Sequence, residues 1–210
     1  MLNRGFTLLE VLITLIILMF GLLGLAGLMA KGQRASFEAF QRPQALSYAT
    51  DIAERMRSNR ALAAEYATAA PLATPIGGGA LFSQIGGTVR NCGNNTCTPQ
   101  ETVAYDIALW DGALSGANES EVVGGARVGG ISRANGCVAA TGAAIGACPA
   151  APATPPGRFF FGQRYTVSVA WQGRDPTSAP NNSTCGNGLY GNEALRRVVT
   201  LDVMVQIPCP

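Results

Sequence analysis

The chain has 210 residues, enough for one anchor helix and one globular domain of ordinary size, and 15 basic against 13 acidic residues give it a formal charge of +2. Charged residues make up only 13%, against about 25% in a typical globular protein. That balance argues against a generally basic, nucleic-acid-binding surface, and the absence of histidine removes the commonest general base and the commonest zinc ligand.

The chain opens on Gly5-Phe6-Thr7-Leu8-Leu9-Glu10, followed by an apolar run from Val11 to Ala30 in which Thr14 is the one polar interruption. A helix of that length crosses the hydrocarbon core of a bilayer at 1.5 Å of rise per residue. An ordinary signal peptide is a poor fit, because the leader is only Met1 to Gly5 and no small-residue cleavage site follows the apolar run. Gly5 has no side chain to obstruct a protease. Once the chain is cut there, Phe6 carries an ammonium at the positive end of a helix dipole, an unfavourable place for a cation. Glu10, a carboxylate at the mouth of the span, compensates its own helix end or pairs with the Phe6 ammonium of a neighbouring helix.

This hexapeptide resembles the class III signal of type IV prepilins and type II secretion pseudopilins, and the likeness covers residues 1–30. The resemblance implies cleavage by a membrane peptidase after Gly5, N-methylation of Phe6 and a role for Glu10 in filament assembly. It implies an α+β pilin fold as well: a long N-terminal helix, part membrane span and part amphipathic, packed on a C-terminal antiparallel sheet. The expected division is a leader over 1–5, a transmembrane and assembly helix over 6–30, its amphipathic continuation over 31–66 and a head over 67–210.

Lys31-Gly32-Gln33-Arg34 marks the exit from lipid, and helix-compatible residues continue to Tyr66. Leu46, Ala49, Ile52, Ala53 and Met56 recur at helical spacing and form a stripe able to face a sheet. Asp51 and Arg55 are an (i, i+4) pair. Pro43 lacks a donor N–H, which predicts a kink rather than an end. Gly21, Gly24, Gly27 and Gly32 each weaken the helix by about 1 kcal/mol relative to alanine, and many major pilins have proline where this chain has Gly27. The run Asp51-Ile-Ala-Glu-Arg-Met-Arg57, with Ser58-Asn59, resembles minor pilins of the PilV type. Its own chemistry is that of a solvated amphipathic helix.

From Ala67 to Gly93 the chain is rich in Pro, Gly, Ala and Thr and reads as loop with one short strand. Cys92-Gly-Asn-Asn-Thr-Cys97 brackets a turn that the two cysteines can clip. Glu101 to Leu114 reads as a helix with Val103, Ile107, Trp110 and Leu114 on one side. Val122 to Ile131 holds only short strands, and Val138 to Gly157 reads as a surface excursion, held if Cys137 pairs with Cys148. Period-two alternation makes strands of Tyr165–Gln172 and Arg197–Ile207, the second with Val199, Leu201, Val203, Val205 and Ile207 on one face. Of the concentrated features that remain, Arg196-Arg197 reads as a strand-edge pair and Phe159-Phe160-Phe161 as the buried start of a strand.

All six cysteines (Cys92, Cys97, Cys137, Cys148, Cys185 and Cys209) lie beyond the anchor, which points to disulfides in an oxidising compartment, and no C-x-x-C spacing suggests a metal. Six cysteines allow 15 pairings. Among these, the pilin resemblance favours Cys185 with Cys209, closing a C-terminal loop.

The function implied is structural: a minor pilin that primes or caps a type IV pilus and shares in adhesion and twitching motility. It is held first in the inner membrane with its head in the periplasm, then at the cell surface. The expected partners are other major and minor pilins, the prepilin peptidase and methyltransferase, the inner-membrane assembly platform and membrane lipid. No cofactor, metal, specific nucleic acid or small molecule is expected. A type II secretion pseudopilin is the alternative within this architecture, and a tip adhesin or DNA-binding module the alternative outside it. An enzyme is disfavoured, since there is neither a histidine base nor a Gly-x-Ser-x-Gly elbow.

Overall fold

The computed structural model describes residues 7–117, 121–123, 126–128, 130–146 and 160–208. Helix α1 runs from Leu8 to Ser58. Its 51 residues correspond to about 76 Å at 1.5 Å per residue. The chain divides into two compact units at Phe40 and Gln41, so α1 belongs to both.

Among the described residues the first unit is helix from Leu8 onward. None of its described residues is buried, and its large apolar side chains are exposed, Phe20 at 72% and Leu28 at 70% of their possible exposure. A surface of that kind is stable only in lipid or against other apolar helices.

The second unit has a core. From Gln41 onward α1 buries Ala45, Tyr48, Ala49, Ile52, Ala53 and Met56 along one face. Leu46, expected in this stripe, lies on its flank at 44% exposure, and Pro43 sits inside the helix without ending it. The helix expected to reach Tyr66 stops at Ser58. Asn59 leaves helical geometry, with ψ at 47°, and its side-chain amide donates to the Pro99 carbonyl. A 3-10 turn over Arg60–Leu62 then leads into α2, Ala63–Ala69.

Helix α3 spans Pro99–Leu114. It starts two residues before the position expected from its apolar pattern. Thr98 and Glu101 form a reciprocal capping box, and Pro99 takes the first turn, where its missing N–H costs nothing. Val103, Ile107, Trp110 and Leu114 are buried together, and the Trp110 indole donates to the Tyr48 carbonyl of α1 at 2.9 Å.

A short hairpin pairs β1, Glu121–Val123, with β2, Ala126–Val128. The main sheet is antiparallel with order β3-β4-β5, formed by Asn135–Ile145, Phe160–Gln172 and Arg196–Pro208. The two expected strands are present and longer than alternation alone marked them. β3 corrects the surface excursion expected from Val138, because Val138 to Ile145 continue a strand that starts at Asn135. Its Ala, Gly and Thr composition concealed it: Ala139, Ala140 and Ala143 have too little side chain to show an alternation. Gly136 explains one small residue, since a Cβ there would meet the Trp110 ring at 2.4 Å. Tyr165, Val167, Val169 and Trp171 of β4 and Val199, Val203 and Val205 of β5 form the inner face and share one core with α1, α2 and α3. Phe160 and Phe161 lie in β4; Phe159 lies outside the described residues.

Candidate assembly site

Thr7 starts α1. The Glu10 amide donates to the Thr7 hydroxyl at 3.3 Å and to its carbonyl at 3.1 Å, and the Val11 amide also reaches that carbonyl. These bonds satisfy donors that a helix end otherwise leaves orphaned. Thr14, the polar interruption of the span, turns its hydroxyl back to the Val11 carbonyl at 2.8 Å, so it brings no unsatisfied group into an apolar medium. Glu10 is the only charged residue between Leu8 and Ala30. Its carboxylate is exposed, and no cation among the described residues pairs with it. Gly5 and Phe6 lie outside the described residues.

The second unit holds its half of α1 by charge as well as by packing. Arg55 donates to Asp51 at 3.1 Å and to Asp106 of α3 at 2.8 Å, and the Tyr66 hydroxyl donates to the other Asp106 oxygen at 2.7 Å. One carboxylate thus ties α1, α2 and α3 together. Burial, and after it the Asp106 carboxylate, push the Tyr66 hydroxyl far above its ordinary pKa. Burial opposes the charge on Arg55, but the hydrogen bonds to Asp106 and Asp51 outweigh it. The run from Asp51 to Arg57 is therefore a fastening as well as a solvated face: Ile52, Ala53 and Met56 enter the core and Arg55 crosses to α3.

Asp111 fastens a second segment. It is buried, and its carboxylate accepts backbone N–H groups from Gly77 at 2.8 Å, Gly79 at 3.1 Å, Leu81 at 2.8 Å and Phe82 at 3.3 Å. The loop after α2 is wound around one side chain. Gly77 allows this with φ at +144°, in a place where a Cβ would lie 2.1 Å from the Ala134 carbonyl oxygen.

The cysteine pairings correct the sequence expectations at Cys185 and Cys137. Cys92–Cys97 closes the expected turn, but Cys185 is bonded to Cys137, not to Cys209, and Cys137 is therefore not bonded to Cys148. Cys137 lies on the outer face of β3, and the loop from Gly173 to Leu195 folds back over that face. Cys185 and Tyr190 thereby form a small second core with Cys137 and Ala170. A C-terminal loop is closed, but onto the far strand of the sheet. Cys148 and Cys209 lie outside the described residues. Arg196, read as half of a strand-edge pair, is buried instead. It donates to the carbonyls of Pro180, Ser183 and Cys185 and to Glu193, and Arg197 holds the carbonyls of Asp175 and Ala194.

Neither Asp106 nor Asp111 is marked by its local sequence, because each acts on partners far away in the chain, whereas Arg196 stands in a visible arginine pair whose burial the local sequence does not show. Among the described residues no three His, Cys, Asp or Glu side chains come together as a metal site requires. Two family models match the chain: the prokaryotic N-terminal methylation motif over residues 1–26 and type IV pilin Tt1218 over residues 28–108. No curated protein and no solved structure matches it.

Proposed function

The chain is a type IV pilin carrying an N-terminal methylation motif, and on that premise we propose that it is a minor pilin that primes or caps a pilus. In this reading the peptidase cuts after Gly5 and Phe6 is methylated. Lipid of the inner membrane covers the apolar half of α1 until the subunit leaves the membrane, with its head in the periplasm. Other pilins and the assembly platform are the partners, and adhesion and twitching motility are consequences of the finished fibre. The likeness of residues 51–59 to minor pilins favours the minor role.

The observation that carries the proposal is the state of Glu10: the one charge on the exposed apolar stretch of α1 from Leu8 to Ala30, with no cation paired to it among the described residues. In the bilayer-inserted monomer it lies near the interface and reaches water. In a filament interior water is excluded, and the Phe6 ammonium of an adjoining subunit is the natural counter-ion. Leaving one member of such a pair unpaired costs about 3–5 kcal/mol. Glu10→Ala is therefore expected to be inserted, cut at Gly5 and folded normally, yet to lose co-purification with other pilins and to lower pilus number. Glu10→Gln keeps the shape without the charge and is expected to fail nearly as badly. A Glu10→Ala subunit that assembles like the parent overturns the role assigned to the carboxylate. N-terminal mass spectrometry showing an intact Met1 in peptidase-competent cells overturns the processing.

A further inference from the structure

We propose that the free edge of β5 is a docking strand for an extended, acidic segment of another protein chain. The two edges of the sheet differ. The edge at β3 is occupied at its start, where Ile76 exchanges backbone hydrogen bonds with Gly136 at 2.7 and 3.0 Å and the Val138 amide reaches the Ala70 carbonyl at 2.7 Å. Further along, its pairing with β4 loses register between Thr141 and Ile145. Such interruptions blunt an edge. β5 has neither device. It pairs with β4 without a break from Arg196 to Pro208, and among the described residues no backbone group bonds to its other side. A regular unpaired edge of this length is a template for another strand.

Charge selects the occupant. A groove of about 500 Å³ lies between α1 and β5 at Arg42, Pro43, Leu46 and Val199. A second, of about 340 Å³, lies at Arg57, Arg60 and Val205. No carboxylate lines either groove. Arg57 is paired with Glu54, but Arg42 and Arg60 have no ion pair among the described residues. Val199 and Val205 both face inward, so the grooves open on the same side of the strand, about 20 Å apart at 3.3 Å per residue. A strand laid along this edge meets both with side chains six positions apart on its helix-facing side, and both are best acidic. A second copy of β5 is the wrong occupant. Paired antiparallel about its midpoint, it sets Asp202 against Asp202 and the Arg42 groove of one copy against the Arg57 and Arg60 groove of the other, and like charges directly opposed are destabilising. The inference does not depend on the filament role, since the surface is complete in one subunit.

The test is photo-crosslinking of the full-length protein in its own cells, with p-benzoylphenylalanine at Thr200 on β5 or, in a parallel strain, at Ala143 on β3. The expected result is an adduct from Thr200, and not from Ala143, to a segment of another protein with Asp or Glu six residues apart. Joint Arg42→Glu and Arg60→Glu replacement is expected to lower the yield about tenfold, with joint lysine replacement retaining most of it. Peptide mapping of the Cys137–Cys185 bridge reports that each variant is folded. The proposal is overturned by an absent adduct or by equal adducts from both edges. It is overturned equally by capture of lipid, an apolar helix, a second copy of β5 or a segment without that acid spacing, or by folded glutamate variants that crosslink like the parent.

Discussion

Helix α1 is one element in two surroundings. Between Leu8 and Phe40 it has no buried residue, and as far as Ala30 its surface is apolar apart from Glu10 and Thr14. Between Gln41 and Ser58 its core face interleaves Ala45, Ala49 and Ala53 with Tyr48, Ile52 and Met56, and its other face is charged. The first half leaves its partners to the membrane and to other chains. The second has chosen its partners already and admits them closely, because alanines let the neighbouring elements approach. Sequence periodicity reports only the second kind of commitment, since a stripe exists where one side of a helix differs from the other.

The contrast predicts that damage to the head leaves the anchor untouched, and the largest such effect is expected at Asp111. Asp111→Ala strands four backbone donors in a buried place, each costing about 1–3 kcal/mol if it cannot relax to water. With partial relaxation the expected loss is about 3–5 kcal/mol, read by denaturant unfolding of the detergent-solubilised chain, with membrane insertion unchanged. Unfolding at the parental midpoint removes the loop after α2 from the account of head stability. The bridges come next. Cys137–Cys185 joins positions 48 apart and Cys92–Cys97 positions 5 apart, and the chain-entropy relation gives about 4 and about 2 kcal/mol respectively. Serine pairs at each bridge are expected to keep that order in thermal unfolding, and the reverse order locates the constraint in the turn. Gly136→Ala is expected to cost about 1–3 kcal/mol by forcing Trp110 from its place; a loss of fluorescence change at Trp110 on unfolding checks it.

How much of this was legible depended on where the information resides. α3, β4 and β5 announce themselves because their large apolar residues repeat at 3.6 or 2. The capping box at Thr98 and Glu101 was present in the sequence as well, and it locates the start of α3 better than the apolar pattern does. β3 was silent because alanine and glycine carry no amphipathic signal, although the strand supplies Cys137, the anchor of the outer-face loop. The pairing of Cys185 with Cys137 was hidden for the same reason: it requires knowing that β3 exists and that the loop folds back over it. Glu10 stands out in the sequence as the one charge between Leu8 and Ala30, and its assembly role is the proposal that Glu10→Ala tests.

The smallest expected effect concerns that same loop. The Gly188 amide and then Arg196 hold the Glu193 carboxyl below the usual glutamate pKa. A carboxyl lowered on folding stabilises above its unfolded pKa, and that contribution fades as pH falls through its lower folded value. Acidification through the range below ordinary glutamate ionisation is thus expected to loosen residues 183–195 before the sheet. Faster amide exchange there than in β4 is the readout, and equal acceleration in both sinks the assignment.

The Cys137–Cys185 bridge also has a mechanical meaning. A fibre subunit bears load, and an unravelling domain lengthens by the chain it releases. With positions 48 apart welded together, the intervening segment, about 160 Å if fully drawn out, can never be paid into the length of a stretched head. The sheet can be pulled apart without the subunit becoming a slack tether, and recoil after the load is removed starts from β3 still tied to the loop that follows β4.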